Sequence, residues 1–219
     1  MRRLFPHSND TVTLRECYDV VRPRPTNRPW VALCMVAGLD GSTVVDRTSR
    51  GLSNPTDQEL LLTLRSFADI ILVGAGTVRA EGYGPPRSPG QRIAVVSRSG
   101  EFDFTLPLFA SGRALLVLPT DAPPVPVQSI RAGVGGVDIA AALGQLDVDV
   151  VQAEGGSTLN GLLAAADLID ELNLSLSPQI NGGDGPRVTS GAPALSHRMT
   201  LAHVVEDDGF LFTRYVRER

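Results

Sequence analysis

The chain of 219 residues carries 20 basic side chains, all of them arginine, and no lysine. Without lysine there is no Schiff base to pyridoxal phosphate or a carbonyl substrate, no Ser-Lys dyad, and no P-loop or kinase lysine. Any phosphate must be met by arginine, by backbone N–H groups or by a helix N-terminus. Cysteine and histidine are scarce as well. Cys17, Cys34, His7, His197 and His203 form no C-x-x-C pair and no helical His pair, so no metal site is expected. No apolar run approaches the roughly 18 residues of a membrane span. No charged segment followed by an apolar one opens the chain, and a reducing, cytoplasmic location is expected.

Charge of one sign is not concentrated anywhere. The net charge is −4 and the arginines lie between acids, which argues against a nucleic-acid or anionic-membrane partner. Hydrophobic residues at 42% and charged residues at 20% are ordinary for a soluble globular chain, so one sizeable core is expected. Glycine and proline gather in three stretches, 22–29 (RPRPTNRP), 82–92 (GYGPPRSPGQR) and 181–186 (NGGDGP). Residues 22–29 read as an extended Arg/Pro stretch, and 1–27 as an N-terminal arm before a single domain over 28–219. Whether the arm covers a site, joins a dimer or does neither is left open by its composition.

Between the loops, β and α signals alternate. Trp30–Ala37 (WVALCMVA), 69–73 (DIILV), 93–96, Ala114–Leu118 and 148–152 are short apolar runs, as expected for strands buried on both faces. Asn54-Pro55-Thr56-Asp57 is a helix start, with a capping Asn, Pro at the first position and an acid in the first turn. Leu60, Leu61, Leu64 and Phe67 then follow at helical spacing. Helices are also predicted after Gly74, over 139–146 and over 157–166. From Asp170 the period becomes two, and 200–205 and 210–216 flank an Asp-Gly turn. The pattern predicts an α/β fold with a mostly parallel mixed sheet and a C-terminal antiparallel hairpin. Ligands on such sheets collect beyond the C-terminal strand ends.

Three such ends carry polar or glycine-rich turns. Gly74-Ala75-Gly76-Thr77 lets the backbone approach an anion at a helix start, or serves only as a tight turn; Arg79 stands where the dinucleotide fingerprint has its third glycine. Glu154-Gly155-Gly156-Ser157-Thr158 repeats the arrangement with a carboxylate at the strand end. Ser97-Arg98-Ser99 lies about 20 residues beyond the first turn, where hydroxyls and an arginine suit a ribose 2′-phosphate. Together they point to NADPH. Asp40, in Gly38-Leu39-Asp40-Gly41, is either a substrate ligand or a turn aspartate.

Arg28-Pro29-Trp30, the GLDG turn, residues 64–84 (LRSFADIILVGAGTVRAEGYG) and residues 150–183 closely resemble the riboflavin-pathway pyrimidine reductases. These are the reductase domains of bifunctional deaminase-reductases, with a three-layer dihydrofolate-reductase-like fold. The resemblance covers about residues 28–216. It implies NADPH-dependent reduction of the ribosyl group of 5-amino-6-ribosylamino-uracil 5′-phosphate to the ribityl form, by hydride transfer to C1′. It implies that Val36, Ala37, Thr77 and the stretch Gly155 to Leu162, Leu159 included, line NADPH, with Ser97 and Arg98 at the adenosine end. Ser49, Arg65, Arg87 and Glu154 would face the phosphorylated pyrimidine. Glu81 replaces the family's usual Asp near the reacting centre, and with Asp40 it is a candidate catalytic carboxylate. A homodimer is implied too. Cys34 stands where many members have a lysine, and the deaminase zinc signature is absent, so the chain is expected to carry the reductase step alone. Reduction of a pterin or folate-like heterocycle is the alternative, and nucleotide binding without catalysis is a third reading.

Overall fold

Short apolar runs separated by amphipathic segments leave each strand with two faces to bury, and a sheet between two helical layers satisfies both. The computed structural model describes residues 1–218. Its elements are β1 (Arg2–Phe5), α1 (Leu14–Tyr18), β2 (Trp30–Ala37), α2 (Pro55–Arg65), β3 (Ile70–Gly74), α3 (Ala75–Glu81), β4 (Arg92–Val96) and α4 (Pro107–Ala110). They continue with β5 (Ala114–Leu118), β6 (Ser129–Arg131), α5 (Ile139–Gly144), β7 (Val150–Ala153), α6 (Ser157–Ala165), β8 (Glu171–Leu176), β9 (Met199–Asp207) and β10 (Phe210–Arg217). The strands form one sheet in the order β1-β9-β10-β8-β2-β7-β3-β4-β5-β6. Pairing is parallel from β8 through β6 and antiparallel among β1, β9, β10 and β8.

Side chains alternate across the strands and define the layers. Ile70 and Leu72 of β3 pack with Ala94, Leu115, Leu159 and Leu163 under α5 and α6. Ile71 and Val73 face the other way, against Val78, Leu108 and Phe109 of α3 and α4. On that same face α1 and α2 bring Tyr18, Leu60 and Leu64 onto Cys34, Val205 and Phe212. The local signals act as expected. Asn54 Oδ1 accepts the Asp57 N–H at 2.8 Å beside Pro55, and Asp208 and Gly209 close the final hairpin with φ of 51° and 79°.

The N-terminal arm, 1–27, carries two elements that its sequence does not announce. It contains β1, paired with β9, and α1, whose Thr13 and Glu16 form a capping box. Leu14 and Tyr18 are fully buried, and Arg22 holds the buried Glu171 through two bonds of 2.9 and 3.1 Å. One helical turn with three apolar residues is too short for periodicity to register. β1 is charged and takes its conformation from the edge it pairs with. The short α4 and β6 escaped for the same reason.

Tyr18 meets His203 edge to face at 4.5 Å in this layer, beside the Glu171–Arg214 pair. Burial, reinforced by the Arg214 charge, pushes His203 down to about 4. The ordinary value of about 6.5 applies once the chain unfolds, so the unfolded state binds the extra proton between those limits. Stability contributed by neutral His203 is present above about pH 6.5 and is lost as pH falls toward about 4. From pH 7 to pH 5 this loss is about 2 kcal/mol. Urea unfolding at the two pH values should show that much less pH dependence in His203→Gln than in the wild type; equal dependence in both contradicts the assignment.

Candidate active site

The C-terminal ends of β2, β7, β3 and β4 lie along one edge of the sheet, and the loops leaving them enclose a cavity of about 770 Å³. Val36, Ser49, Gly74, Gly76, Thr77, Glu81, Ser97, Arg98, Glu154, Gly155, Gly156, Ser157, Thr158 and Leu159 all line it. Ala37, Asp40, Arg65 and Arg87 do not.

The two glycine turns interlock at the centre of the cavity wall. Gly74 N–H donates to Gly155 O at 2.8 Å, and Gly156 N–H donates to Thr77 Oγ1 at 2.9 Å. Gly155 and Gly156 take φ of 87° and 43°, left-handed values that disfavour a side chain. A Cβ on Gly155 would also lie 2.8 Å from Met35 Sδ. α6 starts directly after this turn with no side-chain cap, so its first N–H groups remain available beside the cavity. An extended phosphate-bearing group fits such a wall, because the backbone is bare and the local dipole is positive.

At the floor, Glu154 projects from the end of β7 into a pair with Arg65 from the last turn of α2. Arg65 Nε and Nη2 donate to the two carboxylate oxygens, both at 2.6 Å, and the Tyr83 hydroxyl donates to Oε2 at 2.8 Å. Burial works against the Arg65 charge, yet the bonds to Glu154 more than offset it and the pKa is raised. Tyr83 is held neutral first by burial and then by the Glu154 charge. Cys34 lines the cavity as well, and burial, then the charges of Asp57 and Glu154, pushes its thiol well up. The floor therefore presents a fixed carboxylate, a neutral phenol and a neutral thiol.

Residues 29–211 match the RibD C-terminal domain. The chain belongs to this family. It is 27% identical over 206 residues to the 2,5-diamino-6-ribosylamino-4(3H)-pyrimidinone 5′-phosphate reductase of Methanothermobacter thermautotrophicus, with 83% of this chain and 95% of that protein covered. A pyrimidine reductase-like protein from Corynebacterium diphtheriae superposes with a TM-score of 0.82 at 22% identity, covering 95% of this chain and all of the other. Dihydrofolate reductase from Enterococcus faecalis, solved with NADP(H), shares the fold at a TM-score of 0.52 and 14% identity, over 87% and 97% of the two chains.

Within this RibD-type domain, the candidate residues have the following partners. Asp40 accepts N–H groups of Asn181, Gly182 and Ser42 at 2.8, 2.6 and 3.2 Å, and these bonds hold its carboxyl below the usual range. It ties two loops together outside the cavity, which is the turn role. Glu81 lines the cavity while accepting from Ser49 N and Oγ at 2.7 and 2.9 Å, so it anchors the loop before α2. Arg65 reaches the cavity only through Glu154, and Arg87 is exposed away from the wall. Ser97 Oγ accepts Gly100 N–H at 3.0 Å and shapes the turn that carries Arg98.

The sequence reading missed Arg47, Asp57 and Tyr83 as cavity residues. Asp57 was legible only as a first-turn acid; in the fold it faces the cavity beside Cys34 and accepts from Ser53 Oγ at 2.6 Å. Tyr83 carried one signal, a lone aromatic in a glycine- and proline-rich stretch. Arg47 carried none.

Proposed function

We propose that this chain is an NADPH-dependent reductase of a phosphorylated ribosylaminopyrimidine, acting as a homodimer in the cytoplasm. The observation that carries this reading is the pair of interlocked glycine turns leading to the buried Glu154 carboxylate in one cavity. The reductase activity named for the Methanothermobacter thermautotrophicus protein supports the substrate class, and NADP(H) bound on the same fold in the Enterococcus faecalis enzyme supports the cofactor.

NADPH, when bound, supplies hydride. The chain's own residues supply the rest. Gly155, Gly156 and the start of α6 would hold the pyrophosphate, and Arg98 the 2′-phosphate. Glu154 and Asp57 offer carboxylate oxygens to the N–H and amino groups of a pyrimidine ring, a pairing that two acceptor-only groups favour. The Glu154–Arg65 bonds fix the position of one of those acceptors. Tyr83 and Cys34, both protonated, are the groups at the floor that hold a proton. The uracil form and the 2,5-diamino form of the ring differ at C2, a carbonyl in the first and an amino group in the second, and both present ring N–H and amino donors to such acceptors.

Asp57 and Cys34 in place of a lysine also suit a pterin or folate-like ring, which presents similar N–H donors. NADPH oxidation measured with the ribosylaminopyrimidine phosphate and with dihydrofolate separates the readings. Turnover of the first at least tenfold more efficient than of the second is expected; the reverse favours the folate-like reading, and turnover of neither removes both. NADPH should be preferred over NADH at least about tenfold, from charge-assisted contacts of about 1.5 to 3 kcal/mol to the 2′-phosphate. Equal efficiency with the two cofactors contradicts the role given to Arg98.

A further inference from the structure

Because the chain has no lysine, every phosphate brought into the cavity must find arginine or backbone N–H groups. Among the described residues, two arginines line the cavity, Arg47 and Arg98. Neither makes a hydrogen bond or ion pair with a described residue. Arg98 follows β4, whereas Arg47 belongs to the loop after β2, and these strands stand three spacings apart, about 14 Å. Arg65 is committed to Glu154 at 2.6 Å, and Arg50 to Glu81, with a bond to its carbonyl at 3.1 Å and its carboxylate at 3.7 Å.

The backbone presents Arg47 in an unusual way. Val45 and Thr48 exchange both backbone hydrogen bonds, at 2.8 and 3.0 Å, leaving Asp46 and Arg47 as the two central residues of a tight turn. Their φ values are 48° and 69°, a left-handed pair in which neither residue is glycine. Such strain persists where the surroundings hold it, and it concentrates at ligand clamps. Here Glu81 holds the loop through Ser49. The neighbouring hydroxyls are committed, Ser49 Oγ donating to Glu81 and Thr43 Oγ1 to Pro186 O at 2.8 Å.

We propose that Arg47 is the cation of a phosphate subsite that receives the substrate's 5′-phosphate, distinct from the cofactor subsite at Arg98. This rests on the phosphorylated-substrate reading given under Proposed function, and it names the residue that would distinguish a phosphorylated substrate from its nucleoside.

Calorimetry on the NADP⁺-loaded protein, with ribose 5-phosphate and ribose as probes, tests it. Arg47→Gly is the suitable truncation, since glycine adopts a φ of 69° without strain, and Arg47→Lys restores a charge. Ribose 5-phosphate should bind the wild type more tightly than ribose, and Arg47→Gly should weaken it about 10- to 100-fold, with NADP⁺ affinity within about twofold and partial recovery in Arg47→Lys. Failure of the wild type to discriminate the two sugars, unchanged ribose 5-phosphate binding in Arg47→Gly, or a loss that falls on NADP⁺ instead, overturns the subsite. Arg47-dependent binding of ribose 5-phosphate without turnover of the ribosylaminopyrimidine phosphate keeps the subsite and removes the pyrimidine reading. Turnover with Arg47-independent binding does the reverse.

Discussion

Glu154→Ala should destabilise the protein by about 3 kcal/mol, read as a lowered urea midpoint at unchanged m-value. The side chain is 2% exposed and its partner Arg65 18% exposed, so truncation leaves a guanidinium largely cut off from water with no counter-charge. The low end of the range for a broken buried pair applies because Arg65 keeps some access to solvent. Tyr83 loses its acceptor in the same step. Pairing the change with Arg65→Met should return much of the loss, since removing both charges removes the desolvation penalty. A loss below about 1 kcal/mol in the single variant would show that Arg65 finds another partner, and the fixed carboxylate at the floor would have to be abandoned.

The second large effect concerns the wall of the cavity. Gly155→Ala places a Cβ at a φ of 87° and 2.8 Å from Met35 Sδ, and the peptide whose carbonyl accepts the Gly74 N–H must shift. Strain of this kind costs about 1 to 3 kcal/mol. Because the same turn opens α6, NADPH affinity should fall at least about tenfold. Gly76→Ala is the internal control for stability: a Cβ there meets nothing within 4 Å, and the residue lies inside α3, where alanine is the better helix former. Cofactor titrations and unfolding curves of the two variants side by side check both halves. Equal NADPH affinity in Gly155→Ala and wild type would remove the turn from the cofactor site.

Much of this architecture can be read directly from residue order, and the reasons are local. Strands such as β3 and β5 are buried on both faces and therefore appear as unbroken apolar runs. The α2 start and the Asp208-Gly209 turn each need particular residue types, and those types are present. The glycine turns are legible for the same reason, since Gly155 and Gly156 occupy conformations other residues avoid. What escaped depends on contacts made across the fold. The edge strand β1 takes its form from β9, and α1 from the layer it covers. Arg65 and Glu154 were each singled out, but their union arises only where the end of α2 meets the end of β7. Asp40 has the residue type of a catalytic acid and the surroundings of a turn, and only the N–H groups of Asn181 and Gly182 distinguish the two. Arg47 sits in left-handed backbone with neither glycine nor asparagine to announce it.

The absence of lysine narrows the chemistry at each stage. It removes imine-forming and P-loop enzymes, it leaves arginine and bare backbone to meet phosphates, and in the cavity it singles out Arg47 and Arg98. The most direct test of the whole reading is isotopic. NADPH deuterated at both C4 positions, incubated with the chain and the ribosylaminopyrimidine phosphate, should yield a ribitylamino product one mass unit heavier, with the deuterium on C1′. A product without deuterium at C1′, or deuterium carried into a reduced heterocyclic ring, would contradict it.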